Sequence, residues 1–169
     1  MQSVGMSFVE AYADTEGKEL TANGIQMLIF SKKREKVETM AISNIKVTLP
    51  CERSKVWNRV TSLENTTWRS DLSKIEVLNE KQFVEYTKEG YATTFTITAS
   101  YPNERWEFDM ENRNIKGHWC GIFTEKEGKT EIDFTEDVTA KIVFLKPFVK
   151  GFLKQQQKKY VEDLKKALL

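Results

Sequence analysis

One acidic residue interrupts an otherwise apolar strand face, at position 136. Between Thr130 and Lys141, every second residue apart from this glutamate is apolar. The apolar residues are Ile132, Phe134, Val138 and Ala140. A buried carboxylate without a partner is costly, so Glu136 must be paired, protonated or solvated. It is suited to anchoring a ligand or transferring a proton in a cavity wall. The alternative is a carboxylate at a strand end that pairs with a lysine or reaches solvent.

Three tyrosines and one glutamine are further candidates for contacts with a ligand. Tyr91, Tyr101 and Tyr160 each combine a broad apolar ring with a hydroxyl, so they can line a pocket and still form a hydrogen bond. Gln156 lies on the apolar stripe of a predicted helix, where an amide is unusual. For the tyrosines the alternative is core packing, and for Gln156 it is a hydrogen bond to a neighbouring side chain.

The sequence shows no catalytic or metal-binding constellation. His118 is the one histidine in the chain, and the alternation of its strand places it opposite Trp119, away from the apolar side. There is no HExxH motif and no cluster of cysteines, so neither a metal nor another cofactor is predicted.

Length and composition favour a single globular domain. The chain has 169 residues, 40% of them hydrophobic and 30% charged, which is ordinary globular usage. A net charge of +1 gives no overall basic footprint for nucleic acid. Cys51 and Cys120 lie far apart, and no leader resembles a signal peptide, so free thiols and a cytoplasmic location are predicted. No apolar run is long enough for a transmembrane segment.

The elements that position these residues follow from hydrophobic periodicity. Strands are predicted over residues 41–49, 75–78, 83–87, 91–101, 105–111, 115–125 and 130–141. In the strand from Ile115 to Glu125, glycines alternate with Trp119 and Phe123 and indicate curvature. Strand alternation places Tyr91, Phe95 and Tyr101 on one face.

Helices are predicted at three places. Pro50 precedes a short helix that runs to Ser62, and a second short helical turn is predicted from Asn65 to Leu72. Pro147 opens a helix of about twenty residues. Its apolar stripe comprises Val149, Phe152, Leu153, Gln156, Tyr160, Leu164 and Ala167.

Two stretches resemble a known superfamily. KVTLPCERSKVWNRVTSLENTTWRSDLSKIEV is similar to the opening strand, the Pro-started helix and the Trp-bearing second helix of START-like proteins, the group that includes polyketide cyclases/dehydratases and Bet v 1-like (SRPBCC) proteins. GKTEIDFTEDV is similar to their late strand. The resemblance covers about residues 40–169, which we expect to form the domain, with residues 1–39 as an N-terminal extension of uncertain structure.

The resemblance implies an α+β helix-grip fold. In that fold a curved antiparallel sheet wraps around a long C-terminal helix, and two short helices follow the first strand. The cavity between sheet and helix takes a small hydrophobic ligand, and Trp68 is expected near its mouth. The predicted ligand-binding residues are Trp68, Tyr91, Phe95, Tyr101, Trp106, Phe108, Trp119, Phe134, Glu136, Phe152, Gln156 and Tyr160. For the tryptophans, ordinary core burial is the alternative.

Three functions stay open at this point. The leading hypothesis is noncatalytic binding or carriage of a lipid-like or aromatic molecule. The second is a polyketide cyclase/dehydratase-like enzyme that uses Glu136 and a cavity tyrosine. The third is a module that modulates a partner protein through residues 1–39. The sequence does not predict the oligomeric state.

Overall fold

The structure is a computed structural model, and it describes residues 21–22, 25–26, 40–142, 144 and 146–169. Residue contacts divide the chain into two units, Met1–Val37 and Glu38–Leu169. In the first unit, two short strands, β1 (Thr21–Ala22) and β2 (Ile25–Gln26), pair in antiparallel fashion.

Seven strands of the second unit form one curved antiparallel sheet. Their order is β3-β9-β8-β7-β6-β5-β4, so consecutive strands from β4 to β9 are neighbours and the first strand of this unit pairs with the last. The strands are β3 (Met40–Leu49), β4 (Leu72–Asn79), β5 (Gln82–Thr87), β6 (Ala92–Tyr101), β7 (Arg105–Glu111), β8 (Ile115–Lys126) and β9 (Lys129–Ala140). The strands predicted from alternation are therefore all present.

Two helices accompany this sheet in the described part of the second unit. Helix α1 (Arg53–Thr61) follows β3 and buries Val56, Trp57 and Val60. Helix α2 (Lys146–Leu168) packs mainly against β3 and also contacts β9 and α1. A curved antiparallel sheet with a long C-terminal helix is the helix-grip arrangement, so the predicted fold class is confirmed.

The second short helix predicted from Asn65 to Leu72 is not formed. The segment between α1 and β4 runs through turns instead. Its polar side chains explain the difference, because they bond locally or to α2 and compete with helical hydrogen bonds. The Thr67 hydroxyl donates to Asn65 Oδ1. The Ser70 backbone N–H donates to Asp163 Oδ2 at 3.0 Å, and the Ser70 hydroxyl donates to the same oxygen.

One end of the domain is a filled core. Leu49, Val56, Ile132 and Leu164 are at most 1% exposed, and the Trp57 ring packs edge-on against a phenylalanine of β8. This end joins α1, the C-terminal half of α2 and the adjoining ends of β3, β8 and β9. The other end of the space between sheet and helix is not filled by side chains, and it contains the candidate site.

Gly121 in β8 leaves room for an aromatic ring of the same strand. A Cβ atom at this position would collide with the Trp119 indole and would lie 3.1 Å from the Phe134 ring. The side chain of Trp119 therefore lies over the glycine and stacks on Phe108, with 4.8 Å between ring centroids. Glycine is required here for a close approach.

Candidate functional site

A cavity of about 970 Å³ lies between the sheet and α2. Its wall includes residues from every strand of the seven-stranded sheet, the part of α2 from Phe148 to Tyr160, the segment after α1 and the turns β5–β6 and β7–β8. Pockets that enclose small organic ligands typically measure about 300–1,000 Å³. The cavity is thus large enough for a ligand of tens of atoms.

Six aromatic rings form a continuous wall on the sheet side of the cavity. Phe83 stacks on Phe95 with 5.0 Å between centroids, and Phe108 stacks on Trp119. Trp106 and Phe134 extend the group through edge-on and tilted contacts. Such pairs contribute about 0.5–1.5 kcal/mol each beyond burial, so the wall is held in place before any ligand arrives.

Eleven of the twelve predicted site residues line the cavity. They are Trp68, Tyr91, Phe95, Trp106, Phe108, Trp119, Phe134, Glu136, Phe152, Gln156 and Tyr160. Tyr91, Phe148 and Phe152 line it and are also exposed, which places the mouth between the β5–β6 turn and the first turns of α2. Trp68 packs edge-on against Tyr160, with 5.2 Å between ring centroids.

Tyr101 is the exception, and the prediction that it faces the cavity is wrong. Its side chain is 57% exposed and does not line the cavity. The register of β6 against β7 shifts between Ile97 and Ala99, and a bulge of this kind reverses which face later residues occupy. Tyr101 consequently pairs with Arg105 on the outer face.

Glu136 lies in the cavity wall, and its carboxylate has no partner among the described residues. Its Cα partners across the sheet are Ser43 on β3 and Trp119 on β8. The residue is 8% exposed, and none of the described residues forms a hydrogen bond or ion pair with its carboxylate. Burial raises the pKa of Glu136 to about 7, and the nearby charge of Asp137 contributes to the increase. The group can therefore gain or lose a proton near neutral pH.

Sequence reasoning missed Gln157, the buried neighbour of Gln156. Gln157 accepts a hydrogen bond from the Ser43 hydroxyl at 2.7 Å and donates one to the Ser43 backbone carbonyl at 3.3 Å. Gln156 is exposed but also lines the cavity. The buried side of α2 includes Val149, Leu153, Gln157, Val161, Leu164 and Leu168. The spacing of four between Leu153, Gln157 and Val161 is the signal in the sequence that indicates which side of α2 is buried.

An ionic network at the cavity wall was also missed. Arg69 donates two hydrogen bonds to Asp71, at 2.9 and 2.7 Å, and two longer ones of 3.3 Å to Glu85. Its guanidinium carbon lies 4.8 Å from the centre of the Tyr160 ring. Arg69, Asp71, Glu85 and Tyr160 all line the cavity.

Burial and charge act in opposite directions on this network. Burial disfavours the charged form of Arg69, but the two carboxylates outweigh it and its pKa is raised. The pKa of Asp71 is lowered because the bonds and charge of Arg69 exceed the effect of burial. For Glu85 burial dominates and the pKa is raised. Burial also raises the pKa of Tyr160, so its hydroxyl stays protonated.

His118 lies outside this site, on the outer face of β8. Its Nδ1 atom is 2.7 Å from Asp109 Oδ1. Within the described residues, no three His, Cys, Asp or Glu side chains come together as a metal site.

Comparison with known proteins identifies the fold. No protein-family model matches the chain, and no curated protein matches it. The START superfamily protein from Mycobacterium smegmatis matches with a TM-score of 0.69 and 11% sequence identity, over 75% of this chain and 96% of that chain. The chain has a START-like helix-grip fold. No helix in the described parts of the chain is long and apolar enough to span a membrane.

Two further structures show the range of proteins that share the helix-grip fold. Ara h 8.0201 matches with a TM-score of 0.62 and 12% identity, over 77% of this chain and 98% of that chain. DynU16, a protein of the dynemicin biosynthetic locus, matches with a TM-score of 0.60 and 14% identity, over 75% of this chain and 46% of that chain. Identities this low show a shared fold and leave the chemistry to be argued from the site.

Proposed function

We propose that this helix-grip protein binds a small hydrophobic molecule in its cavity and carries it. The observation that supports this most directly is the cavity itself, a space of about 970 Å³ with a wall of packed aromatic rings and exposed apolar residues at its mouth. Large apolar pockets with a few polar groups are the usual form of small-molecule sites. The resemblance to START-like and Bet v 1-like proteins implies a hydrophobic ligand or a polyketide substrate, which is consistent with the proposal.

Binding of an uncharged apolar dye tests the proposal. Nile red is expected to bind the purified protein with increased fluorescence, and native mass spectrometry is expected to detect one dye molecule per chain. If no dye binds and no small molecule copurifies, the proposal is wrong.

Adjacent glutamines of α2 provide a matched pair of variants. Gln156 lines the cavity, whereas Gln155 is exposed and does not. Gln156→Trp adds an indole to the cavity wall and is expected to weaken dye binding several-fold. Gln155→Trp makes the same change on the outer surface and is expected to leave dye binding unchanged. Equal effects of the two variants would indicate that the dye binds elsewhere.

A second candidate function is an enzyme of the polyketide cyclase/dehydratase type. It is favoured by Glu136, whose pKa of about 7 suits a general acid or base, and by the protonated hydroxyl of Tyr160 in the same cavity. Glu136→Gln would then lower turnover of a poly-β-ketone substrate by about 100-fold or more, with substrate binding retained. Absorbance of the cyclised product measures turnover, and dye displacement measures substrate binding.

A further inference from the structure

Glu136 has a position that packing alone does not explain. It is more than nine-tenths buried, faces the cavity and has no partner among the described residues. An apolar side chain would fill the same place on β9 at lower cost, because a buried carboxylate needs compensation. A ligand group that donates a hydrogen bond or carries positive charge would supply that compensation.

The cations of the cavity wall are poorly placed to attract an anion. Arg69 is already bonded to two carboxylates, Asp71 and Glu85. Arg113 is exposed in the β7–β8 turn, two residues before Ile115, whereas Glu136 pairs with Trp119 four residues further along β8. Among the described residues that line the cavity, four acids outnumber two arginines, the six being Asp71, Glu85, Glu89, Glu136, Arg69 and Arg113. A carboxylate ligand therefore meets an excess of negative charge.

The rings beside Glu136 add to the attraction for a cation. Trp119 is its Cα partner on β8, and Phe134 lies two residues before it on the same face of β9. The centroids of these two rings are 4.9 Å apart. A cation near a carboxylate and aromatic faces gains a charge-assisted hydrogen bond and cation–π contacts together. Neither contribution is available to an anion.

We propose that Glu136 anchors the protonated amine of a hydrophobic ligand, so that the cavity selects apolar amines over apolar carboxylates. This inference rests on the proposed ligand-binding function and specifies the polar group of the ligand. The amine donates its N–H to the carboxylate, while the hydrocarbon part of the ligand contacts the part of the aromatic wall formed by Phe83, Phe95, Trp106 and Phe108.

Three compounds with the same chain length test the selection. Decylamine, decanol and decanoate each compete with bound Nile red at pH 8, against the full-length protein. A hydrogen bond to a charged group contributes about 1.5–3 kcal/mol, which corresponds to roughly 10- to 100-fold in affinity. Decylamine is expected to bind at least about 10-fold more tightly than decanoate.

Two variants distinguish the anchor from a general effect of charge. Glu136→Gln is expected to weaken decylamine binding about 10-fold or more and to leave decanol binding within about twofold. Asp137→Asn removes the same charge from the neighbouring residue, which alternates to the other face of β9, and is expected to retain the preference for the amine.

The outcomes separate this inference from the proposed function. If all three compounds displace Nile red with similar affinity, or if decanoate binds best, the amine anchor is wrong and ligand binding stands. The same conclusion follows if Glu136→Gln weakens decanol as much as decylamine. If neither the dye nor any of the three compounds binds, both proposals are wrong.

Discussion

Replacement of Glu136 by glutamine removes a proton-binding site from the middle of the cavity wall. The folded protein holds this carboxyl with a pKa of about 7, against an ordinary value of 4.5. A raised pKa in the folded state means that the folded protein binds the proton more tightly than the unfolded chain does. The stability that this proton contributes is therefore fully present below pH 4.5 and is lost as the pH rises through 7.

The size of this loss follows from the two pKa values. Each pH unit between them corresponds to about 1.4 kcal/mol in the free energy of unfolding, which gives about 3 kcal/mol in total. Between pH 5 and pH 8.5, wild type is expected to lose about 2–3 kcal/mol relative to Glu136→Gln. The glutamine amide itself contributes a cost that does not depend on pH.

Urea unfolding followed by tryptophan fluorescence, at several pH values from 5 to 8.5, measures the difference. The Cα partners of Glu136, Ser43 and Trp119, do not titrate in this range. The Arg69 network is common to both proteins and cancels in the comparison. Asp137→Asn is the control, because it removes a neighbouring charge but keeps the buried carboxyl. If the free energy of unfolding has the same pH dependence in wild type and Glu136→Gln, the claim that burial raises the pKa of Glu136 is refuted.

Other changes have expected outcomes in the same urea assay. Gly121→Ala pushes a methyl group against the Trp119 and Phe134 rings and is expected to lower the free energy of unfolding by about 1–3 kcal/mol. Gly151→Ala, in an open stretch of α2, is expected to raise it by about 1 kcal/mol. Equal effects of the two variants would contradict the packing described for β8. Arg69→Met leaves two carboxylates without their cation and is expected to cost about 3 kcal/mol, so a neutral result would show that solvent replaces the arginine. Gln157→Leu deprives a buried serine hydroxyl of its acceptor and is expected to cost about 1–2 kcal/mol. A chain that begins at Met40 is expected to unfold cooperatively, and failure to fold would show that the preceding residues are needed.

The strands and the long helix were predictable because their signals are local. In β9 the alternation of apolar and polar residues directly reflects burial on one face, and this pattern is enough to single out Glu136. The long C-terminal helix likewise follows from its spacing, although the predicted stripe included Phe152 and Gln156, which are exposed. These patterns depend on one residue and its near neighbours along the chain.

The errors arise where a distant contact decides the outcome. Tyr101 was assigned to the wrong face because the bulge after Ile97 depends on pairing with β7, which alternation in β6 alone does not record. Gln156 and Gln157 are adjacent and chemically identical. The bonds of Gln157 to Ser43, 114 residues earlier, are not recorded in the local sequence, where only the spacing of four from Leu153 to Val161 indicates that Gln157 is the buried one. The bonds between Arg69 and Glu85 likewise join two segments of the chain, and the periodicity within either segment does not indicate that they are in contact.

The pairing of β3 with β9 has a consequence for synthesis of the chain. Contacts across this pair join residues 89 to 91 positions apart, so β3 leaves the ribosome long before its partner exists. At about 5–20 residues per second, the delay is roughly 5–20 s. The hairpins from β4 to β8 can pair during that time. Strand β3, which carries Ile42 and Ile45, stays unpaired, and an unpaired strand can form hydrogen bonds with a strand of another chain. The enclosed cavity therefore exists only once the last strand and α2 have been made.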